Sequence, residues 1–193
     1  VIDVLLEISK KNFIPQFLKN IDIKNQKLVL ATFHRRENWG ENIINICCSI
    51  SEILDKTKDT FFIIPMHKNK IIRDTILNLL SKNPKVILTE PLKYDELISI
   101  MKISHFIITD SGGIQEEAPS LGKPVLVLRN KTEREEAIKA GCAKLVGTEK
   151  TKIIQECMKL LNDESSYKRM SNINNPFGDG KASSHIFNIC KAY

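Results

Sequence analysis

The chemistry in this sequence is concentrated in a turn of small residues that follows an apolar run. The run His105–Thr109 ends at Asp110 and leads into Ser111, Gly112 and Gly113, after which a helical pattern begins. Glycines at such a turn let backbone N–H groups approach a ligand, and the partial positive charge of a helix N-terminus suits a phosphate. A strand-to-helix turn that needs small residues for steric reasons alone is an equally good interpretation. The turn by itself therefore does not decide whether a phosphate binds there.

A carboxylate close to this turn favours the ligand interpretation. Glu117 lies one helical turn beyond Gly113, on the helix face that looks back toward the turn. Its carboxylate would repel a phosphate in direct contact, but it can accept two hydrogen bonds from a vicinal diol one sugar away. A phosphate next to a diol is the signature of a nucleotide.

Basic and imidazole side chains follow other predicted strands. His34, Arg35 and Arg36 lie in the segment LATFHRRENWGENI, directly after an apolar run, where a His and two Arg would meet an anionic ligand. His67 lies in IIPMHKNKIIRD, again at a strand end. A solvated charged loop and a capping or surface histidine are the alternatives at these two places.

The segment NKTEREEAIKAG carries a further candidate, Arg134. Thr132 predicts a helix N-cap, and Glu135 three residues later predicts a capping box with it. Arg134 would then project from the first turn toward the same crevice. The alternative is a surface arginine paired with Glu133 or Glu136.

Alternating elements must position these residues. The predicted strands are Lys27–Phe33, Thr60–Pro65, Lys85–Leu88, His105–Thr109, Pro124–Leu128 and Ala143–Val146. The predicted helices are Asn42–Leu54, Asn69–Leu80, Tyr94–Ile103, Ile114–Leu121, Glu133–Ala140, Lys150–Leu161 and Glu164–Met170, followed by a loop and a terminal helix. This alternation predicts an α/β fold with a Rossmann-like, mostly parallel sheet and helices on both faces. In such sheets ligands bind beyond the carboxyl ends of the strands, where every candidate above falls.

Composition excludes several classes of function. The 193 residues, with 42% hydrophobic and 27% charged residues, suit a globular domain with a sizeable core. No apolar run reaches the roughly 18 residues of a membrane span, and no secretory signal pattern begins the chain. The net charge of +6 comes from scattered lysines without a basic run interleaved with aromatics, which argues against nucleic-acid binding.

Cysteine and histidine spacing predicts neither disulfides nor metal sites. The five cysteines form no CxxC pair, and they are Cys47, Cys48, Cys142, Cys157 and Cys190. Reduced thiols in a cytoplasmic protein are expected. His105 and His185 are expected to be structural or surface residues, and no metal or other cofactor is predicted.

Five segments, taken in order, resemble the UDP-N-acetylglucosamine 2-epimerase family, and the bacterial non-hydrolysing type in particular. They are FHRREN, PMHKN, TDSGGIQEEAPSLGKPVLVLR, TEREEAIKAGCAKLVGT and NPFGDGKAS. The resemblance implies the second domain of a GT-B-like fold, in which two Rossmann-like domains face each other across a cleft. This chain would be the C-terminal half. The family inverts C2 of the sugar by eliminating UDP and adding it back.

The resemblance also implies roles for residues of this sequence. Ser111, Gly112 and Gly113 would hold the diphosphate, and Glu117 the ribose hydroxyls. His34 and Arg134 would be the catalytic residues, reaching the diphosphate or the sugar. The backbone around Leu92 and Leu97 would line the uracil pocket. His67 and Arg35 would touch a second UDP-sugar bound as an activator.

The resemblance further implies a division of the chain and a set of partners. Residues 1–20 would cross over from an N-terminal domain, 21–173 would bind UDP, and 174–193 would form a loop and a C-terminal crossover helix. The expected partners are UDP-GlcNAc or UDP, the N-terminal epimerase domain, and a second copy in a homodimer of the full-length enzyme.

One departure concerns the proposed catalytic arginine. The family usually has T-E-R-P-E where this chain has Glu135 after Arg134, and losing the proline frees the backbone at the helix start. Two alternatives remain open: the donor-binding domain of a nucleotide-sugar glycosyltransferase, and a UDP-sugar-binding remnant without turnover.

Overall fold

A single parallel sheet organises the chain. The computed structural model describes residues 1–11, 13–18 and 25–191, and within them the sheet has six strands. They are β1 (Lys27–Thr32), β2 (Thr60–Pro65), β3 (Val86–Thr89), β4 (Phe106–Thr109), β5 (Val125–Val127) and β6 (Ala143–Leu145). All five neighbouring pairs are parallel, in the order β3-β2-β1-β4-β5-β6. The α/β class and the parallel sheet predicted from the sequence are confirmed, and each predicted strand lies within two residues of its observed bounds.

Helices connect the strands and cover the sheet. They are α1 (Ile2–Ser9), α2 (Glu41–Lys56), α3 (Lys70–Leu80), α4 (Tyr94–Ile103), α5 (Gly112–Glu117), α6 (Glu135–Ala140), α7 (Lys150–Asn162), α8 (Glu164–Ser171) and α9 (Ala182–Lys191). Short 3₁₀ turns occupy Gln16–Leu18, Arg36–Asn38 and Ala118–Leu121. The predicted helix Ile114–Leu121 is thus α5 followed by a 3₁₀ turn, and Pro119 explains the change because it cannot donate an α-helical hydrogen bond.

Two apolar cores lie on the two faces of the sheet, because successive strand residues point to opposite sides. In the first core, Val29 and Ala31 of β1 pack with α2, α3 and α7. In the second core, Leu28 and Leu30 pack with α1, α4, α5 and α6. The same alternation holds in β4, where Ile107 joins the second core. Burial on both faces explains why these strands are apolar without interruption.

The strand order creates a crevice between β1 and β4. Chain connections run outward in one direction from β1 to β3 and in the other from β4 to β6, so the topology reverses between the two central strands. At such a switch point the flanking loops separate, and ligands of doubly wound sheets bind there. The loop after β1 begins near His34, and the loop after β4 begins at Asp110. The topology therefore brings two distant motifs to one crevice.

The ends of the chain frame this domain. α1 buries Ile2 and Leu5 in the second core, while α9 buries none of its residues. The structure does not describe residues 20 and 21, where the first predicted division falls, or the last two residues of the predicted third segment. The division into domains therefore stays a prediction.

None of the described helices combines the length and apolarity that crossing a membrane requires.

Candidate functional site

A cavity of about 470 Å³ opens at the carboxyl ends of β1, β2 and β4. Its lining includes residues from four separate stretches of chain. They are Thr32, His34, Pro65, Met66, His67, Lys68, Pro91, Leu92, Leu97, Ser111, Gly113, Ile114 and Glu117. The structure thus brings together seven of the residues singled out in the sequence: His34, His67, Leu92, Leu97, Ser111, Gly113 and Glu117. Cavities of this size hold small organic ligands.

The glycine turn begins α5 at the floor of this cavity. Ser111 occupies the N-cap position, with its backbone N–H donated to Thr109 Oγ1 at 2.9 Å, and its side chain makes no capping bond. The first-turn amides of a helix have no partner within the helix. The backbone φ angles of Gly112 and Gly113 are not positive. No special backbone conformation therefore requires glycine at these two positions.

Two guanidinium groups converge beside the turn. A Cβ placed on Gly112 would lie 3.6 Å from Arg134 Cζ and Nη2, and 3.7 Å from Arg35 Nη2. Arg134 also donates from Nε to Glu116 Oε1 at 2.5 Å, which leaves its Nη atoms directed at the turn. Positive charge therefore accumulates where α5 presents its N-terminus. Neither arginine lines the main cavity, and both border it at the turn.

A hydrogen-bonded chain fixes the position of Arg134. Gln115 Nε2 donates to Ser111 O at 3.1 Å, and Thr132 Oγ1 donates to Gln115 Oε1 at 2.6 Å. Thr132 Oγ1 also accepts from the backbone N–H of Arg134 at 3.1 Å. Thr132 therefore ties the Arg134 loop to α5.

The predicted capping box of Thr132 and Glu135 is wrong. α6 begins at Glu135, two residues after the predicted start, and Arg134 occupies its N-cap position. Glu135 instead pairs with Lys139 at 2.8 Å. The Thr132 hydroxyl instead donates to Gln115 on α5. A local sequence pattern cannot predict a hydrogen bond between residues 17 positions apart in the chain.

The ion pairs of this region also differ from the predicted alternatives. Glu133 binds Arg129, at 2.8 and 3.1 Å, and Arg134 binds Glu116. Arg129 is buried and is also held by Glu37 at 2.6 Å, which joins the loop after β1 to the end of β5. Hydrogen bonding from Arg129 lowers the pKa of Glu133 to about 2. In the sequence Arg129 cannot be told from a surface arginine, so its burial and its two partners were not predicted.

Glu117 is nearly buried, and its carboxylate already has one partner. Its exposed fraction is 6%, and the Tyr94 hydroxyl donates to Oε1 at 2.8 Å. Burial raises the pKa of Glu117, and burial first, then the bond to Glu117, raises that of Tyr94 to about 12. Tyr94 stands at the first position of α4, between Leu92 and Leu97. It orients the carboxylate at the edge of the cavity, a role that its residue type and local spacing do not indicate.

A stack of two imidazole rings also lines the cavity. His34 and His67 stack with their ring centroids 5.7 Å apart and their planes within 4°. His67 Nδ1 accepts the backbone N–H of Asn69 at 3.1 Å, so its Nε2 carries the hydrogen. The stack places the two loops after β1 and β2 side by side.

Behind His34 lies a carboxylate with no exposure to solvent. Asp110 Oδ2 accepts the backbone N–H groups of His34 at 2.9 Å and Arg35 at 2.8 Å, and Asn38 Nδ2 at 2.9 Å. The Asn38 amide also reaches Leu128 O at 3.2 Å. Asp110 therefore fixes the loop that carries both His34 and Arg35. Its place directly after a buried strand is the signal of this role that the sequence contains.

The remaining histidines and the cysteines lie apart from the site. His105 stacks on Tyr167 at 4.3 Å and bonds Leu160 O, as expected of a structural residue. The five cysteines are free. The described residues contain no cluster of His, Cys, Asp and Glu that could hold a metal ion.

The strand order and the cavity at the switch point define this chain as a Rossmann-like α/β domain with a cavity of the size that small ligands occupy. The sequence profile of the family described as UDP-N-acetylglucosamine 2-epimerase matches residues 1–191. The chain belongs to that family. The likeness to its members found in the sequence is thereby confirmed.

Individual relatives agree with this assignment. The UDP-N-acetylglucosamine 2-epimerase of Campylobacter jejuni is 49% identical over 165 residues, which cover 86% of this chain and 43% of the relative. The solved complex of S. aureus MnaA with UDP superimposes with a TM-score of 0.93 at 41% identity, covering 100% of this chain and 52% of that one. The UDP-GlcNAc 2-epimerase of Neisseria meningitidis bound to UDP-GlcNAc gives 0.90 at 45% identity, covering 100% and 53%. The chain spans about half the length of the curated relatives it matches.

Proposed function

We propose that this chain is the nucleotide-sugar-binding half of a UDP-N-acetylglucosamine 2-epimerase, which interconverts UDP-GlcNAc and UDP-ManNAc. The observation that carries the proposal is the single cavity in which the glycine turn, a buried carboxylate and two imidazoles meet. The UDP and UDP-GlcNAc named for the two solved relatives support the choice of ligand. The complete enzyme would be a cytoplasmic homodimer that uses no cofactor.

The nucleotide would lie along α5. The amides of Ser111, Gly112 and Gly113 would bind the diphosphate, with the two neighbouring guanidinium groups balancing its charge. Glu117, one helical turn further, would accept the ribose hydroxyls. Leu92 and Leu97 would contact the uracil ring at the apolar end of the cavity.

The reaction would proceed by elimination and re-addition of UDP. A base removes the proton from C2, the C1–O bond breaks with its electron pair going to UDP, and a glucal remains. UDP oxygen then adds back to C1, and C2 receives a proton on the opposite face. Arg134 would stabilise the charge of the departing diphosphate, and His34 would serve the diphosphate or a proton transfer.

Turnover would require a second wall of the site. Glu117 is the carboxylate among the described lining residues, and the Tyr94 hydroxyl donates to it. Bound to the ribose, as proposed, it would lie away from C2. The N-terminal half of the enzyme would supply the catalytic carboxylates. The exposed side chains Ile186, Phe187 and Ile189 of α9, between 61% and 64% exposed, support contact with such a partner domain.

His67 and Arg35 are proposed to contact a second UDP-sugar that acts as an activator. His67 stacks on His34, and Arg35 lies beside Gly112, so an activator held by these residues would adjoin the substrate directly. Family membership weighs against a glycosyltransferase donor domain. A remnant without turnover differs from an epimerase half in whether adding the N-terminal half produces activity.

Two measurements test the proposal. We expect UDP to bind this chain with a Kd between about tens of micromolar and about 1 mM, because one wall alone leaves the sugar side in water. In D₂O, NMR should show no deuterium entering C2 of UDP-GlcNAc with this chain, and exchange should begin when the family's N-terminal half is added. Absence of UDP binding would refute the assigned ligand. Exchange by this chain alone would show that the base has been misplaced.

A further inference from the structure

The carboxylate of Asp110 has one oxygen that is fully used and one that is not. Oδ2 accepts three N–H donors at 2.8–2.9 Å, from His34, Arg35 and Asn38. Oδ1 is buried and has no hydrogen-bond partner. Leaving a buried carboxylate oxygen unsatisfied is costly, so a hydrogen-bond donor close to Oδ1 would be stabilised by it.

The imidazole of His34 is a donor close to this oxygen. Its Nδ1 lies 3.7 Å from Asp110 Oδ1, which is about 0.8 Å longer than the most common N–H···O distance of about 2.9 Å. The His34 side chain is 46% exposed and borders the cavity, whereas Asp110 is fixed by its three donors. The ring can therefore close the gap, and Asp110 cannot.

We propose that Asp110 is a positioning residue that fixes the tautomer and orientation of His34. Nδ1 carries the hydrogen and donates to Asp110 Oδ1, so Nε2 faces the cavity with a free lone pair. His34 then acts as a proton acceptor, and the Asp110 carboxylate stabilises the imidazolium that forms. This assignment rests on the proposed function only for the use made of His34, and not for its tautomer.

The other three histidines of the chain provide opposite references. Nδ1 of His67 accepts a backbone N–H, and Nε2 of His105 faces a carbonyl oxygen. Nε2 of His185 faces Asp179 Oδ2 at 3.4 Å. All three should carry hydrogen on Nε2. His34 should therefore be the odd one in a spectrum that contains all four.

The exchange Asp110→Asn makes a directional prediction. The three donors on Oδ2 require an acceptor there, so the amide oxygen must occupy that position and the NH₂ group must face His34 Nδ1. Nδ1 would then have to accept, and the hydrogen of His34 would move to Nε2. Asn38→Ala is the matched control, because it removes one donor from Oδ2 and leaves Oδ1 and His34 unchanged.

The experiment is a long-range ¹H–¹⁵N spectrum of this chain at about pH 9, where histidine side chains are neutral. The ring nitrogens with and without hydrogen have well-separated ¹⁵N shifts, and His34→Gln assigns the His34 signals. We expect Nδ1–H in the wild type and in Asn38→Ala, and Nε2–H in Asp110→Asn. Nε2–H in the wild type would overturn the proposal even if Asp110→Asn does not fold. So would an unchanged tautomer in Asp110→Asn, or a flipped one in Asn38→Ala.

Turnover separates this proposal from the proposed function. In the chain joined to its N-terminal half, Asp110→Asn should lower kcat by about 10²–10⁴-fold with little change in KM, because the equivalent exchange in serine proteases leaves histidine in the wrong tautomer and costs about 10⁴. The predicted tautomers without any epimerase activity in the joined protein would refute the function and keep the Asp110 assignment. Wild-type kcat in Asp110→Asn would remove Asp110 from the proton-transfer machinery.

Discussion

Gly113→Ala should make the domain more stable and its UDP binding weaker. Gly113 is the second residue of α5, and a Cβ there would find nothing closer than Ser111 Oγ at 4.0 Å. Alanine in a helix is favoured over glycine by about 0.5–1 kcal/mol. For a chain of this size each kcal/mol shifts Tm by about 2–4 °C, so Tm should rise by about 1–4 °C.

The same methyl group would occupy the space in which the proposed diphosphate would approach the amides of α5. One hydrogen bond to a charged group contributes about 1.5–3 kcal/mol, so UDP affinity should fall by about 10- to 150-fold. Titration calorimetry with UDP measures the affinity, and thermal unfolding measures Tm on the same samples. Opposite signs in the two measurements separate a ligand effect from a folding defect.

Gly122→Ala is the control for this experiment. Gly122 has φ of +65° and lies at the far end of the 3₁₀ turn, where a Cβ would be 3.4 Å from Ser171 O. Alanine is strained in this backbone conformation, so Tm should fall while UDP affinity stays unchanged. Unchanged affinity in a stabilised Gly113→Ala protein would refute the phosphate assignment. A lowered Tm in Gly113→Ala would contradict the open space found around Gly113.

Further variants test the remaining parts of the site. Glu117→Gln should weaken UDP by about 10- to 150-fold and leave 2′,3′-dideoxy-UDP unaffected in calorimetry; losses that simply add would exclude the ribose contact. Tyr94→Phe should free the carboxylate and reduce UDP affinity by a smaller factor, about 2- to 12-fold, whereas equal loss for the dideoxy ligand would place Tyr94 elsewhere. In the joined two-domain protein, His34→Ala and Arg134→Ala should lower kcat more than they raise KM, and steady-state rates at wild-type level would remove either residue. A hydrogen bond from Arg129 holds the pKa of Glu133 at about 2, below the ordinary 4.5, so the stability that this pair contributes is present above pH 4.5 and is lost as the pH falls toward 2. Glu133→Gln should therefore flatten the dependence of Tm on pH in that window. An unaltered Tm profile would contradict the pairing of Glu133 with Arg129.

Local patterns predicted the elements and part of the site. Apolar runs separated by helical patterns specify strands buried on both faces, and burial is a property of each residue's own side chain. The spacing of Gly113 and Glu117 put both on one face of α5, because helical geometry fixes that relation within four residues. Both line the same cavity. Motifs at strand ends could be expected to meet because all the carboxyl ends of a parallel sheet share one edge.

The tertiary structure decided which of those motifs touch. Strand order, which the sequence pattern does not contain, placed β1 beside β4 and thereby put His34 next to Asp110, 76 residues away in the chain. The same packing gave the Thr132 hydroxyl to Gln115 and defeated the predicted capping box. A hydrogen bond goes to the best acceptor within reach, and that acceptor is set by how elements pack rather than by chain distance. Residue types and local spacing could therefore predict the candidates, whereas the pairing of each polar group depended on the fold.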